Sequence, residues 1–134
     1  METRTFSVRT GDRFACADLT PLITEWLQGR GDGLCTVFVP HATAGVALFE
    51  LGAGTEQDVA AAVGRMLPRD DRWEHRHGSP GHGADHVLPL LVSPSVTIPV
   101  VGGRLTLGTW QSVVLVDPNR DNPERTVRLA FLAG

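Results

Sequence analysis

No run of this chain stays apolar for the ~20 residues that a membrane-spanning helix needs, so the sequence offers no such helix. The opening METRTFSVRT has no apolar core of the kind a signal peptide carries, which makes the cytoplasm the expected location. Cysteine is scarce. Cys16 and Cys35 are the only two, they form no CxxC pattern, and each sits beside apolar residues, so both are expected as small buried hydrophobes rather than as a disulfide. Positive charge is not in excess either, since 12 basic against 15 acidic residues leave a formal charge of −3. The densest basic group, Arg65, Arg69, Arg72 and Arg76, is interrupted by Asp70, Asp71 and Glu74. A duplex-binding surface needs a stronger cationic excess, so no nucleic-acid partner is expected, whereas a small anionic ligand is compatible. The phosphate-cradling loops are missing as well. The nearest glycine-rich stretch, GAGTEQ at 52–57, lacks the Gly-Lys-Ser/Thr ending, no GxGxxG opens a helix after a strand, and no GxSxG elbow occurs.

What is present suits one domain over residues 1–134, long enough to build a core without staples. Thr3 to Thr10 alternates as an opening strand. A helix follows from Asp18 or Thr20, with Pro21 in its first turn and Leu22, Ile23, Trp26 and Leu27 on one face. Leu34 to Val39 and Val46 to Leu51 read as strands, and Thr55 to Leu67 as a helix capped by Thr55, with Val59, Ala62, Val63 and Met66 along one side. Residues 68–85 form a long loop, a length that often marks function. Asp85 to Val92 is expected as a short helix capped by Asp85, with Pro89 in its first turn. Ser95 to Val101 and Arg104 to Leu107 make a hairpin across Gly102-Gly103. Val113 to Val116 is a continuously apolar strand, Asp117 to Pro123 a polar turn, and Arg125 to Leu132 a half-buried last strand. Strands gathered at the C-terminal end, with two or three helices before them, predict an α+β fold of mostly antiparallel sheet.

The residues able to do chemistry are concentrated. All five histidines lie between 41 and 86, and four of them, His75, His77, His82 and His86, fall within WEHRHGSPGHGADH. Imidazole is the commonest metal ligand, yet none of the standard zinc spacings is matched, so a solvated His-rich loop competes with a metal site. His41 is either a satisfied structural histidine or a ligand. Glu50, nine residues on at the end of an apolar run, is either a strand-end carboxylate in water or a ligand or base beside His41. Asp58 and Asp85 have cap explanations, although Asp85 could also orient a neighbouring histidine. Trp110 reads first as core packing. Gln111 precedes four apolar residues, and a partly buried amide there needs hydrogen-bond partners, a substrate heteroatom among them.

Taken together, these segments resemble the YjbQ-like family, also called the secondary thiamine-phosphate synthase family. The family's His-Thr-Ser/Thr-Ala motif followed by apolar residues and Asn-Glu stands here as HATAGVALFE, His41 to Glu50. Its aromatic-x-His is matched by Trp73-Glu74-His75, its Ser-His opening a short helix by Asp85-His86, and its Gly-Thr-Trp-Gln block by Gly108 to Gln111. A closing arginine-rich strand fits Arg125 to Arg128. The differences are Phe49 in place of the Asn, Ala42 in place of a hydroxyl residue, the missing acidic Asp-Pro segment after the glutamate, and the extra histidines His77 and His82. The resemblance implies a compact α+β sandwich that assembles as a homotrimer, with a pocket that can hold a metal and weak thiamine-phosphate synthase activity. In that reaction a pyrimidine-methyl diphosphate joins a thiazole phosphate. The expected metal ligands are His41, His75 and His86, with Glu50 a weaker fourth and His77 or His82 as substitutes. Zinc is the expected ion, and nickel, iron and manganese also suit the donors. His41, Glu50 and Gln111 are expected as catalytic residues, and Thr43, Trp110 and Gln111 as contacts to a phosphorylated small-molecule substrate. A binding module without turnover and a metal-dependent hydrolase are the alternatives, since no activated nucleophile is recognisable.

Overall fold

A computed structural model describes residues 1–134. The elements run β1 (Glu2–Arg9), β2 (Ala15–Asp18), α1 (Thr20–Leu27), β3 (Gly33–Phe38), β4 (Gly45–Phe49), α2 (Thr55–Met66), α3 (Gly83–Leu91), β5 (Ser95–Val101), β6 (Arg104–Leu105), β7 (Ser112–Asp117) and β8 (Glu124–Ala133). They form a five-stranded sheet in the order β1-β8-β3-β5-β6 and a three-stranded sheet in the order β2-β7-β4. Every strand pair is antiparallel. This is the expected α+β fold.

The layering follows from side-chain alternation. On β8, Val127, Leu129 and Phe131 point inward, and with Cys35 and Val37 of β3 and Ile98 and Val100 of β5 they make one wall of the main core. Ile23, Trp26 and Leu27 of α1 join them, together with Val113 and Leu115 from β7 of the smaller sheet. The intervening residues of β7, Val114 and Val116, point the other way, into a second core against Val63, Leu67, Ala84 and Leu88 of the α2–α3 region. The protein is therefore stacked as five-stranded sheet, three-stranded sheet, then α2 and α3, with α1 packed into the main core. β7 is apolar at consecutive positions because both of its faces are covered.

Several local expectations shift. α2 begins after Gly54 with no side-chain cap, and its buried stripe is Val59, Val63 and Leu67, while Met66 is 57% exposed. That stripe follows the i, i+4, i+8 spacing, which rotates Met66 off the packed face. β6 stops at Leu105 rather than Leu107. α3 starts at Gly83, so Pro89 lies inside the helix instead of in its first turn, and Asp85 is a buried first-turn residue rather than a cap. Cys16 and Cys35 are both free thiols. Burial pushes each up to about 11.

The two layers are tied beside the chemistry-bearing residues. The Val39 N–H donates to the Pro94 carbonyl at 2.7 Å and the Val46 N–H to the Ser93 carbonyl at 2.8 Å, which fastens the segment between β3 and β4 to the exit of α3. Gly45 permits this approach, because a Cβ there would sit 2.1 Å from the Val92 carbonyl oxygen. Backbone, unlike a flexible side chain, cannot move aside cheaply. Gly45→Ala is expected to destabilise the protein by about 1–3 kcal/mol, read as a lowered urea midpoint with an unchanged slope. An unchanged midpoint would show that β4 and the α3 exit are not packed this closely.

Candidate metal and substrate site

The site begins with a buried polar network. Asp117, at the end of β7, is wholly buried. Its carboxylate accepts from Arg125 Nε at 2.8 Å, Arg125 Nη2 at 2.9 Å, the Thr10 hydroxyl at 2.6 Å and the Asn119 N–H at 2.9 Å. Four bonds fill the acceptor capacity of a carboxylate, which is how a charge survives in a core. Thr43 Oγ1 accepts from Arg125 Nη2 at 2.9 Å and from Asn119 Nδ2 at 3.0 Å. The HATAG segment, the turn after β7 and the start of β8 are thereby locked together.

His41 belongs to this network. Its Nε2 accepts the Thr126 N–H at 2.8 Å. An imidazole nitrogen that accepts a backbone N–H has its lone pair committed, so the proton of the neutral ring sits on Nδ1. Burial, and then the nearby Arg125 charge, hold His41 below the ordinary imidazole range.

The imidazole cluster is formed by other residues. His75, His82 and His86 each bring one ring nitrogen to within 4.8 Å of the others. His82 is the N-cap of α3 and His86 lies one turn on, so the helix itself sets the spacing, and their Nε2 atoms are 3.1 Å apart. His75 arrives from the long loop with its ring centre 3.9 Å from that of His86, and the exposed His77 ring lies 3.9 Å from His75. The loop reaches α3 so closely because the helix opens on Gly83, where a Cβ would lie 2.4 Å from the Trp73 Cβ. Partial burial and the neighbouring imidazoles hold His75 and His86 below the usual range. His82 is 7% exposed. Its Nδ1 lies 3.2 Å from Asp121 Oδ2 and 3.3 Å from Asp85 Oδ2, and Asp85 is itself clamped by Arg69 through both carboxylate oxygens.

The structure therefore unites His75 and His86 with His82 and not with His41, whose Nε2 accepts the Thr126 amide instead. Glu50 is exposed beyond the end of β4, with no hydrogen bond or ion pair. Gln111 is exposed, and its Oε1 accepts the Gly108 N–H at 2.9 Å, closing a turn rather than entering the core. Trp110 is 73% exposed instead of packed. Thr43 is 5% exposed and bonded within the protein. Asp117, Asn119, Asp121, Arg125 and Arg69 surround the cluster or its supporting network, and the sequence reading gave none of them a site role. The available signals were the polar turn from Asp117 to Pro123, the arginine-rich strand from Arg125 and the basic group that holds Arg69.

Two outcomes follow. Removing one partner of the buried pair, as in Arg125→Met, is expected to cost about 3–5 kcal/mol in urea unfolding, and a loss below 1 kcal/mol would contradict the network. The lowered histidines also set a pH dependence. The unfolded chain protonates near 6.5, the folded chain only at lower pH, so the unfolded state binds more protons in between and stability falls as pH drops from 7 toward 5. His41→Gln, whose amide oxygen can still accept the Thr126 N–H, should show a shallower fall. A melting temperature flat across that window would refute this.

The comparisons with known proteins agree with one another. The family model described as UPF0047 protein YjbQ-like matches residues 4–134. A UPF0047 protein of Mycobacterium tuberculosis is 57% identical over 134 residues, covering 100% of both chains. The UPF0047 protein YugU of Bacillus subtilis is 32% identical over 115 residues, covering 82% of this chain and 84% of the relative. Among solved structures, a hypothetical protein from Aeropyrum pernix matches with a TM-score of 0.90 at 37% identity, covering 100% of both chains. This chain belongs to the YjbQ-like UPF0047 family.

Proposed function

We propose that this protein is a metal-dependent enzyme acting on a phosphorylated small molecule at His75, His82 and His86. The observation that carries the reading is convergence: three imidazole nitrogens lie within 4.8 Å of one another, and His75 Nε2 is buried with no hydrogen-bond partner. A buried polar atom left unpaired costs about 1–3 kcal/mol, which a bound cation removes. Three nitrogen donors without thiolates suit zinc and leave a coordination position open, while nickel, iron and manganese fit the same donors. A divalent ion held there supplies Lewis-acid stabilisation of negative charge on a phosphate or a departing diphosphate.

The protein's own residues supply the rest. A cavity of about 280 Å³ adjoins His75 and is lined by Arg69, Asp70, Asp71, Trp73 and Arg76 among others. Arg76 donates through Nε to the Trp73 carbonyl at 3.1 Å, which leaves its terminal nitrogens for an anion, and Asp70 is neutralised by Arg72 at 2.8 Å. The chain has no lysine side chain to form an imine, and the thiols at about 11 are poor nucleophiles. The reaction assigned on the family resemblance is transfer of the pyrimidine-methyl group from its diphosphate to the ring nitrogen of a thiazole phosphate, with release of pyrophosphate.

A homotrimer belongs to the same reading. Leu132, Leu34 and Pro99 lie side by side across β8, β3 and β5 on the outer face of the larger sheet, all exposed, with Phe38 and Val101 beyond them. Such an apolar stripe calls for cover. Trp110 and Gln111, exposed on their turn, would then be offered to a neighbouring subunit.

Zinc-supplemented protein is expected to carry one ion per chain. His75→Ala, His82→Ala and His86→Ala should each lose it, and His41→Ala should keep it. Product from the two phosphorylated substrates should appear with the loaded protein and vanish on chelation. Unchanged zinc content in all three variants would sink the metal assignment. A loaded, folded protein that forms no product would remove the transferase reaction and leave a binding module. Sedimentation at micromolar concentration should show a trimer, and monomer alone would contradict the assembly.

A further inference from the structure

We propose that Asp121 is a positioning residue of the three-histidine site, holding the His82 ring so that Nε2 faces the metal. This rests on the metal reading above. When an imidazole binds a metal through Nε2, its Nδ1 carries the proton and needs an acceptor that fixes the ring. Two carboxylates face His82 Nδ1, but they are not equivalent. Asp85 is 1% exposed, and both of its oxygens are engaged by Arg69. Asp121 Oδ2 is the nearer, at 3.2 Å. The same oxygen accepts the Ser79 N–H at 2.9 Å, so one carboxylate faces the His82 ring and holds the loop that delivers His75.

Asp121 is itself held from behind. Its N–H donates to Asn119 Oδ1 at 2.9 Å, and Asn119 is 4% exposed and bonded to Thr43. The chain from Arg125 through Asp117 and Asn119 to Asp121 is thus continuous from the core to the histidines. The loop passes so tightly that a Cβ on Gly78 would lie 2.5 Å from Asp121 Oδ2. Neither current nitrogen-to-carboxylate approach to His82 Nδ1 has hydrogen-bond alignment. A small rotation of the ring toward Asp121 on metal binding completes the contact.

The test uses the full chain, with zinc and cobalt as the probes. Asp121→Ala should weaken zinc binding about 10–100-fold by isothermal titration and alter the visible absorption of the cobalt form. Asp121→Asn keeps the size and one acceptor oxygen, and should recover part of the affinity. Asp58→Ala, at an exposed position in the first turn of α2, should bind within twofold of wild type. Circular dichroism checks the fold, and the isosteric Asn variant carries the test if the Ala variant unfolds. A second readout is independent of metal: the nitrogen NMR shifts of His82 should report the Nδ1–H tautomer in wild type and move in Asp121→Asn but not in Asp58→Ala. Wild type binding zinc with both Asp121 variants within twofold overturns the inference. Wild type binding no metal overturns the metal reading, and His82 shifts unmoved by Asp121→Asn then overturn the positioning role as well.

Discussion

The buried pair of Arg125 and Asp117 is the constraint on which the rest of the site depends. A charge taken out of water is tolerated only when its partner and its remaining hydrogen bonds are all in place. Asp117 meets that demand with four bonds, and Arg125 extends the network to Thr43. Because Asp117, Arg125, Asn119 and Thr43 are buried and hydrogen-bonded to one another, the geometry of the turn after β7 has little freedom. That turn then presents Asp121 toward the histidines. A polar network in the core fixes position more sharply than apolar packing, which accepts many similar arrangements.

The layered architecture explains why the histidines meet where they do. β7 packs on both faces, so α2 and α3 must lie against the smaller sheet, and the loop between these helices has to run across the first turn of α3. His82 and His86 are fixed one helical turn apart, and His75 is brought over them by a loop tethered at Asp121 and at Arg69. The loop is long but not loose. Arg69 bonds Asp85 and Ser79, Trp73 Nε1 donates to the Pro68 carbonyl at 2.8 Å, and Asp121 holds Ser79. Such internal ties make a compact surface loop able to hold ligands at fixed distances.

The fold was largely legible in the sequence. The continuous run Val113 to Val116, the Gly102-Gly103 hairpin and the alternation from Arg125 to Leu132 each follow from burial and turn chemistry that act locally. The site was legible in its composition and not in its pairing. Four histidines in twelve residues marked the place, but choosing His82 over His41 depends on a bond from Thr126, 85 positions away from His41. Likewise the polar turn after β7 read as a turn, while its ties to Thr43 span 76 and 82 residues. Asp85 had a sound local explanation as a cap, and Arg69, 16 positions earlier, draws it instead into a buried pair. Trp110 shows the opposite case: core burial is the usual fate of an indole, and only the short β6 and the turn that follows it leave this one outside.

The structure presents a protein whose rigid interior serves a cluster of three imidazoles at the surface of α3. A crystal of the zinc-supplemented protein, measured on both sides of the zinc absorption edge, tests this most directly. An anomalous peak bonded to nitrogens of His75, His82 and His86, with His41 still accepting the Thr126 amide, is the predicted result. A zinc peak on His41, or three imidazoles with no peak among them at saturating zinc, would contradict it.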